Sequence, residues 1–412
     1  MASADTHNGP PVPPLKPKRQ RENQNWILDY VVANTGVTHN FEYEGRLFPA
    51  TVKRYSMIPK VMAKQAMRQE ALARAAAAAG HRETAALLYF KAAQGYRSAQ
   101  HAIKKTDQRK IFLHRKLDQC YDGLIEHSPY PIERVEIPWE GKSISGLLHV
   151  LPDRRQAPLV IFLPGMDMTK ESTPDPASNP FRERGMHLLA IDGPGVGSAN
   201  LRGMHVTHDN FERAFSAAVD YAISRPEVDA TRIAACGVSM GSFWGARSAA
   251  HEHRLAACAV SQSCLGGKKE IFETGVPDFK ETFMYMAGLE DEDEFDRLAE
   301  RLTAFGYGPQ IRCPLLIVAG EFDPIGPLEE ARQFYDEVTA PKELWVLEDE
   351  FHYRTNDRLR GFAGTEFMPF VADWLRDAMS GAYGPDHDRV IYISPSSSSG
   401  PYNGPSKPDW YE

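Results

Sequence analysis

From about residue 131 onward, short apolar runs alternate with amphipathic stretches. The apolar runs, each of strand length, cover residues 134–138, 144–150, 159–163, 187–191, 232–236, 256–261, 315–318 and 343–347. Between two of them, Phe211, Phe215, Val219 and Ala222 recur at helical spacing along one face. Strands that alternate with helices predict an α/β fold with a mostly parallel sheet covered on both faces.

The amino-terminal part of the chain has a different, helical pattern between residues 57 and 127. Two alanine-rich stretches are separated by Gly80, which suits a helical hairpin. Leu113, Leu117, Cys120 and Leu124 then recur at helical spacing. We therefore predict a small helical domain over residues 26–130, packed as a cap against a catalytic domain at residues 131–382.

The strand–helix alternation lapses between residues 262 and 308, in a segment rich in Phe, Tyr and Met. An insertion that leaves an α/β sheet at a strand's carboxyl end overhangs the usual ligand site, so we predict a lid there. An aromatic helix that only packs on the core is the alternative. Residues 1–25 and 383–412 are rich in Pro, Ser, Asn and charge, which predicts a disordered tail and a flexible tail.

Composition narrows the class of protein. The 412 residues contain 47 Lys plus Arg and 55 Asp plus Glu, and this net charge of −8 argues against broad nucleic-acid binding. Five cysteines without CxxC spacing suggest neither a disulfide framework nor a zinc site. No apolar run reaches the roughly 18 residues of a membrane span. We expect a soluble, cytoplasmic protein without membrane association.

The most informative motif is Gly237-Val-Ser239-Met-Gly241, which follows an apolar strand and opens a helix. In that setting the G-x-S-x-G pattern is typical of a nucleophile elbow. The turn is so sharp that glycine is needed on both sides of the serine. Ser239 is therefore the predicted nucleophile.

A serine nucleophile needs a base, and the base needs an orienting carboxylate. The strand at 315–318 is followed by Glu321 and Asp323, and we predict Asp323 as the acid with Glu321 as the alternative. Two histidines follow in the chain, His352 and His387. His387 lies in the predicted tail, so His352 is the predicted base.

The oxyanion of a tetrahedral intermediate needs two N–H donors. The first is expected from Met240, directly after the nucleophile, and the second from the loop after an earlier strand. That loop contains Gly165, whose small size allows close approach of the backbone, so Met166 is the predicted second donor.

Asp167 is unexpected so near a developing negative charge. One interpretation is structural: Asp167 caps a helix that begins near Lys170, or pairs with that lysine. The other is that its carboxylate contacts a polar group of the substrate. The stretch Asp192-Gly-Pro-Gly195-Val-Gly197 departs from the G-x-G-x-x-G dinucleotide pattern, so we predict a tight turn there.

With these residues in this order, the chain resembles the α/β-hydrolase superfamily over roughly residues 131–380. The stretches 164–171, 192–195 and 237–241, preceded by a helical region, resemble the branch that contains 2,6-dihydroxypseudooxynicotine hydrolase, the fungal pigment-polyketide shortening hydrolases and the FrsA-like esterases. The first two kinds cleave carbon–carbon bonds beside a ketone. The nicotine-pathway enzymes have a substrate-site glutamate where this chain has Asp167, so the resemblance implies substrate binding by Asp167.

Three functions stay open at this point. The leading hypothesis is a serine hydrolase that cleaves a carbon–carbon bond next to a ketone in a hydroxylated aromatic or polyketide-like small molecule. The first alternative is a carboxylesterase, lactonase or thioesterase with the same triad. The second is a non-catalytic binding scaffold. None of these readings requires a metal or an organic cofactor, and the helical region also allows a homodimer.

Overall fold

The computed structural model describes residues 52–274, 277–352, 367–394 and 400–406. Within these residues, nine strands form one sheet. The strands are β1 (Ile132–Trp139), β2 (Lys142–His149), β3 (Ala157–Leu163), β4 (His187–Ile191), β5 (Val228–Val238), β6 (Ala257–Ser261), β7 (Leu315–Gly320), β8 (Lys342–Leu347) and β9 (Asp388–Ile393). Their spatial order is β1-β2-β4-β3-β5-β6-β7-β8-β9.

The sheet is mostly parallel, as predicted. Strand β2 is antiparallel to both of its neighbours, β1 and β4, and every later pairing is parallel. Parallel strands bring their carboxyl ends to one edge, where the loops after β3, β5, β7 and β8 meet. This edge is where the sequence predicts the chemistry.

Strand β3 shows why the parallel strands consist of continuous apolar runs. Leu159, Ile161 and Leu163 pack into the core on one face of the sheet. Val160 and Phe162 pack into a second core on the other face. Because both faces are buried, every position of the strand favours an apolar side chain.

Helices cover both faces of this sheet. They are α1 (Ile58–Ala78), α2 (Arg82–His101), α3 (Gln108–His127), α4 (Pro180–Glu183), α5 (Gly197–Leu201), α6 (Asn210–Ile223), α7 (Met240–His251), α8 (Lys268–Thr274), α9 (Pro277–Ala287), α10 (Glu292–Ala299), α11 (Leu328–Glu337) and α12 (Met368–Met379). Helices α6 and α7 share the larger core, and α4 and α12 share the other. No helix in the described part of the chain is long and apolar enough to cross a membrane.

In the described part of the predicted helical region, which begins at residue 52, the helices α1, α2 and α3 pack on one another; residues 26–51 lie outside the described residues. Gly95 of α2 lies so close to α1 that a Cβ there would stand 2.9 Å from the Ala66 Cβ. Asp107 begins α3 by accepting hydrogen bonds from the N–H groups of Arg109 and Lys110. The core of these helices extends to Leu147 of β2, so the helical region is joined to the sheet.

The insertion between β6 and β7 folds into α8, α9 and α10. These helices share an aromatic cluster in which the Phe272 ring centroid lies 5.2 Å from that of Phe283 and 5.0 Å from that of Phe295. The alternation of strands and helices is therefore interrupted here, as predicted, and some of the aromatic side chains pack inside the insertion. Whether the segment acts as a lid stays a prediction.

The predicted flexible tail at residues 383–412 is wrong for its central part. Strand β9 pairs with β8, with Ile391 opposite Trp345. The Tyr392 N–H also donates to the Pro405 carbonyl oxygen at 2.8 Å. The apolar run at 390–393 completes the sheet beyond β8, although its Pro- and Ser-rich neighbours suggest disorder. The predicted tail at residues 1–25 lies outside the described residues.

Candidate active site

The turn between β5 and α7 holds Ser239 in a strained backbone conformation, with φ 57° and ψ −124°. Positive φ is rare for a residue with a side chain and is concentrated at functional sites. A Cβ on Gly237 would stand 2.0 Å from the Gly241 carbonyl oxygen, and one on Gly241 would stand 2.0 Å from that of Leu163. Both glycines are therefore required, as the motif predicts.

The structure brings the three predicted triad residues together. Ser239 Oγ lies 2.8 Å from His352 Nε2, and His352 Nδ1 lies 2.7 Å from Asp323 Oδ2. The other carboxylate oxygen of Asp323 accepts hydrogen bonds from the N–H groups of Ile325 and Gly326, at 2.8 and 3.0 Å. The carboxylate is thus fixed by its own loop, and it can hold the imidazole in one tautomer.

Glu321, the alternative acid, and His387, the other downstream histidine, contact groups outside the triad. Glu321 Oε2 accepts a hydrogen bond from the Asp349 N–H at 3.0 Å. His387 Nε2 lies 2.6 Å from Glu343 Oε1, at the start of β8. The geometry therefore favours Asp323 over Glu321 as the partner of His352.

The loop after β3 lies directly against the nucleophile. A Cβ on Gly165 would stand 3.2 Å from the Ser239 Cβ, so the absent side chain permits this approach. The Met168 N–H donates to the Gly165 carbonyl oxygen at 3.0 Å, which closes a tight turn around Met166. Met240 is the first residue of α7, where N–H groups have no acceptor within the helix. Met240 and the loop after β3 thus lie next to Ser239, and the roles of the Met240 and Met166 N–H groups as oxyanion donors stay a prediction.

Asp167 is buried, and the structural explanation of it is wrong. No helix begins near Lys170, whose Nζ lies 2.5 Å from Glu171 Oε1 and 3.0 Å from Asp192 Oδ2. Asp167 instead lies beside Arg97 of α2: Arg97 Nη1 donates to the Asp167 carbonyl oxygen at 2.5 Å and stands 3.6 Å from Asp167 Oδ2. Its partner comes from a distant helix, so local sequence could not reveal it.

The glycine-rich stretch after β4 is the tight turn that we predicted. Asp192 sits at its centre and accepts hydrogen bonds from Lys170 N, Lys170 Nζ, Ser198 N and Ser198 Oγ. A Cβ on Gly197 would meet the Asp192 carboxylate at 2.4 Å. A turn folded around a carboxylate is unsuited to a phosphate.

Lys170 and its two carboxylates form a buried charge cluster behind the loop after β3. Burial opposes ionisation of Glu171, but the Lys170 ammonium outweighs it and lowers the pKa of Glu171 to about 2. Burial likewise opposes the Lys170 charge, and the carboxylates of Asp192 and Glu171 raise the pKa of Lys170 above its ordinary value. Lys170 and Glu171 therefore both carry their charges near neutral pH.

A cavity lies beside Asp167, between the helical region, the loop after β3, the turn after β4 and α9. The helical region contributes Arg97, Gln100, His101, Lys104 and Lys110, and α9 contributes Thr282, Tyr285 and Met286. Sequence analysis missed the basic residues because they occur in ordinary amphipathic helices. Lys110 carried one signal, since it occupies the apolar face that also holds Leu113 and Leu117.

No group of three or more His, Cys, Asp or Glu side chains suited to a metal ion occurs among the residues that the structure describes. All five cysteines, each within the described ranges, are buried and free of disulfides.

Comparison with known proteins decides the family. A family model described as "Esterase FrsA-like" matches residues 60–336, which is about two thirds of the chain. The chain belongs to the FrsA-like esterase family. The matched range includes the helical region, Ser239 and Asp323, whereas His352 lies beyond it.

Relatives with curated descriptions are identical to this chain at about a quarter of the aligned positions. The alpha/beta hydrolase xenA of Xenoacremonium sinensis is 28% identical over 251 residues, covering 58% of this chain and 58% of that protein. The 2,6-dihydropseudooxynicotine hydrolase of Paenarthrobacter nicotinovorans is 27% identical over 279 residues, covering 67% and 71%. The chain thus spans little more than half of the xenA protein's length.

The fold of this FrsA-like chain is also that of a solved hydrolase. The crystal structure of the 2,6-dihydroxy-pseudo-oxynicotine hydrolase superposes with a TM-score of 0.70 at 26% identity, covering 88% of this chain and 98% of that one. The protein therefore has the α/β-hydrolase fold, and the relatives named above are hydrolases.

Proposed function

We propose that this FrsA-like protein is a serine hydrolase that cleaves a carbon–carbon bond next to a ketone in a hydroxylated aromatic or polyketide-like small molecule. The observation that carries the proposal is the contact of Ser239 Oγ with His352 Nε2 at 2.8 Å, next to a loop that holds the buried carboxylate of Asp167. The triad supports acyl transfer, and the carboxylate supports recognition of a hydroxylated substrate.

In the first step, Ser239 Oγ attacks the ketone carbon while its proton moves to His352 Nε2. Asp323 holds the resulting imidazolium. The charge that develops on the ketone oxygen is stabilised by the backbone N–H groups of Met240 and Met166.

In the second step, the bond from the former carbonyl carbon to its α carbon breaks. The electron pair goes to the α carbon, which receives the proton held by His352, and the acyl group stays on Ser239 Oγ. This cleavage requires a neighbouring ring or second carbonyl that delocalises the leaving charge. Water, deprotonated by His352, then releases the acyl group as a carboxylic acid and restores Ser239.

Asp167 contributes to the second step by accepting hydrogen bonds from substrate hydroxyl groups. Hydroxyls on a ring or polyketide tune how well the leaving carbon carries charge, so a residue that binds them affects carbon–carbon cleavage more than simple ester hydrolysis. The Arg97 guanidinium, 3.6 Å from Asp167 Oδ2, holds this carboxylate in place.

The helical region serves as the cap in this proposal, and the insertion serves as the lid. Both line the cavity beside Asp167, through Arg97 and Lys110 on one side and Tyr285 and Met286 on the other. The Thr106 and Tyr285 hydroxyls also lie 2.9 Å apart and join the two segments. The partner of the site is a small molecule, and a homodimer stays a prediction.

The decisive experiment incubates wild type and Ser239→Ala with aryl ketones, β-diketones and aryl esters, and identifies the products by mass spectrometry. We expect a carboxylic acid derived from the ketone with wild type alone. Ester products without any ketone cleavage would instead support the carboxylesterase function, which the description of the family favours.

Asp167→Asn tests the role of the carboxylate. We expect kcat/KM for ketone cleavage to fall at least tenfold more than kcat/KM for p-nitrophenyl ester hydrolysis, because one charged hydrogen bond is lost. Asp153→Asn, at a surface ion pair with Arg155, is the matched control and should leave both reactions unchanged. Equal losses on ketone and ester would contradict the proposed role.

The non-catalytic alternative is tested by labelling with a fluorophosphonate probe. We expect wild type to be labelled and Ser239→Ala to stay unlabelled. A well-folded wild-type protein that does not react would support a binding scaffold.

A further inference from the structure

The cavity beside Asp167 carries more basic than acidic side chains. Among the described residues, Arg97, His101, Lys104 and Lys110 line it, against one lining carboxylate, that of Asp167. Burying a cation without a counter-charge costs free energy. The carboxylates next to these residues therefore show which of the positive charges the protein itself neutralises.

Arg97 and Lys104 each lie beside a carboxylate. Arg97 Nη1 stands 3.6 Å from Asp167 Oδ2. Lys104 Nζ stands 3.0 Å from Asp278 Oδ1, and the Asp278 side chain is fully buried. The charges of Arg97 and Lys104 are therefore balanced within the protein.

Lys110 differs from them. Its side chain is 8% exposed, and its Nζ donates to the carbonyl oxygens of Gln100 and Ile103, at 3.1 and 2.8 Å. The Tyr285 ring centroid lies 4.4 Å from the same nitrogen. Among the described residues, no carboxylate oxygen comes within 4 Å of it. An ammonium group has three N–H donors, and these two carbonyl bonds leave one for a ligand.

The surroundings make Lys110 responsive to an incoming negative charge. Burial lowers the pKa of Lys110, the nearby Lys104 charge lowers it further, and Asp107 partly opposes both, so that the pKa is about 7. The charged or titratable groups around the cavity are Arg97, His101 and Lys104 from α2 and its end, Asp107 at the start of α3, Asp167, and Tyr285 with Asp278 on α9. An anion beside Lys110 would favour its protonated form.

We propose that Lys110 binds a carboxylate on the substrate, remote from the carbonyl that Ser239 attacks, so that the substrate class is a ketone that bears an acidic group. This inference rests on the proposed hydrolase function and names its substrate class. The carboxylate supplies a counter-charge that the described residues do not give Lys110, and the neighbouring basic residues add to its attraction.

The test compares two chromogenic esters that differ in one charge. Mono-p-nitrophenyl glutarate carries a free carboxylate, and its methyl ester is neutral. We expect wild type to have the lower KM for the anionic ester. In Lys110→Met the ratio of the two kcat/KM values should fall about tenfold, mainly through KM, because a charge-assisted hydrogen bond is lost.

Lys105→Met is the matched control, since it removes the same charge from an exposed neighbour outside the cavity lining, and it should keep the wild-type ratio. Lys110→Arg should recover part of the preference, and labelling of Ser239 by the fluorophosphonate probe shows that each variant is folded. In wild type the preference should weaken as the pH rises through about 7, where Lys110 loses its proton.

Equal turnover of the two esters by wild type, or equal losses on both in Lys110→Met, would overturn the inference. Both esters use only the triad, so the assay works even if ketone cleavage is never observed. If neither ester is turned over, protection of Ser239 from the probe by glutarate, but not by glutaramide, supports the inference, and equal protection overturns it.

Discussion

The buried charge cluster around Lys170 allows a quantitative prediction for Lys170→Met. The substitution keeps an apolar stem and removes an ammonium group that lies 2.5 Å from Glu171 Oε1 and 3.0 Å from Asp192 Oδ2. Both carboxylates are fully buried, so neither recovers its partner from water. Removing one member of a buried ion pair costs about 3–5 kcal/mol in the free energy of unfolding.

The remaining contacts moderate this loss without cancelling it. Asp192 keeps its hydrogen bonds from Ser198, and Glu171 Oε2 keeps the Thr169 hydroxyl at 2.7 Å. These neutral donors supply no counter-charge. A chain of 412 residues has an unfolding entropy of about 0.9 kcal/mol/K, so we expect Tm to fall by roughly 3–6 °C.

The assay is urea and thermal unfolding followed by circular dichroism, with Lys269→Met as the control. Lys269 pairs with Glu300 at 2.8 Å on the surface, where solvent screening leaves an ion pair with little effect on stability. A destabilisation of Lys170→Met below about 1 kcal/mol, or one equal to the control, would refute the reasoning. Adding Glu171→Gln to Lys170→Met should restore part of the stability, because one unpaired charge is removed.

Three further outcomes follow from the same geometry. The folded-state pKa of Glu171 is about 2, against an ordinary 4.5, so its contribution to wild-type stability is complete above about pH 4.5 and is lost as the pH falls through 2. In Lys170→Met we expect the opposite dependence of stability on pH, and measuring Tm as a function of acid pH checks both expectations. Asp323→Asn should lower kcat by about 10⁴-fold with little change in KM, whereas Glu321→Gln should keep wild-type kinetics. Gly241→Ala, whose Cβ would stand 2.0 Å from a backbone oxygen, should destabilise by roughly 1–3 kcal/mol and block probe labelling of Ser239, whereas Gly245→Ala, with its nearest contact at 3.2 Å, should do much less.

Local sequence was sufficient for the sheet up to β8, for the turn at Ser239 and for the order of the triad. Apolar runs buried on both faces mark parallel strands, and Gly237 and Gly241 mark a turn that no other residue fits, so Ser239 follows from neighbours in the chain. His352 and Asp323 follow from order, because each comes just after a strand whose carboxyl end must reach the same edge.

Contacts between distant elements were decided only by the tertiary structure. The sequence allows Asp167 to be a helix cap or a site residue, and only the structure shows that Arg97, 70 positions earlier, lies beside it. The position of Lys110 on the apolar face of α3 indicates burial, but its contact with Tyr285 of the insertion could be seen only in the tertiary structure. The short apolar run of β9 lies beside Pro- and Ser-rich residues that suggest disorder, and only its pairing with β8 shows that it is a strand. Periodicity reports which face of an element is buried, whereas charge partners depend on which elements meet, and that is set by the packing of the whole chain.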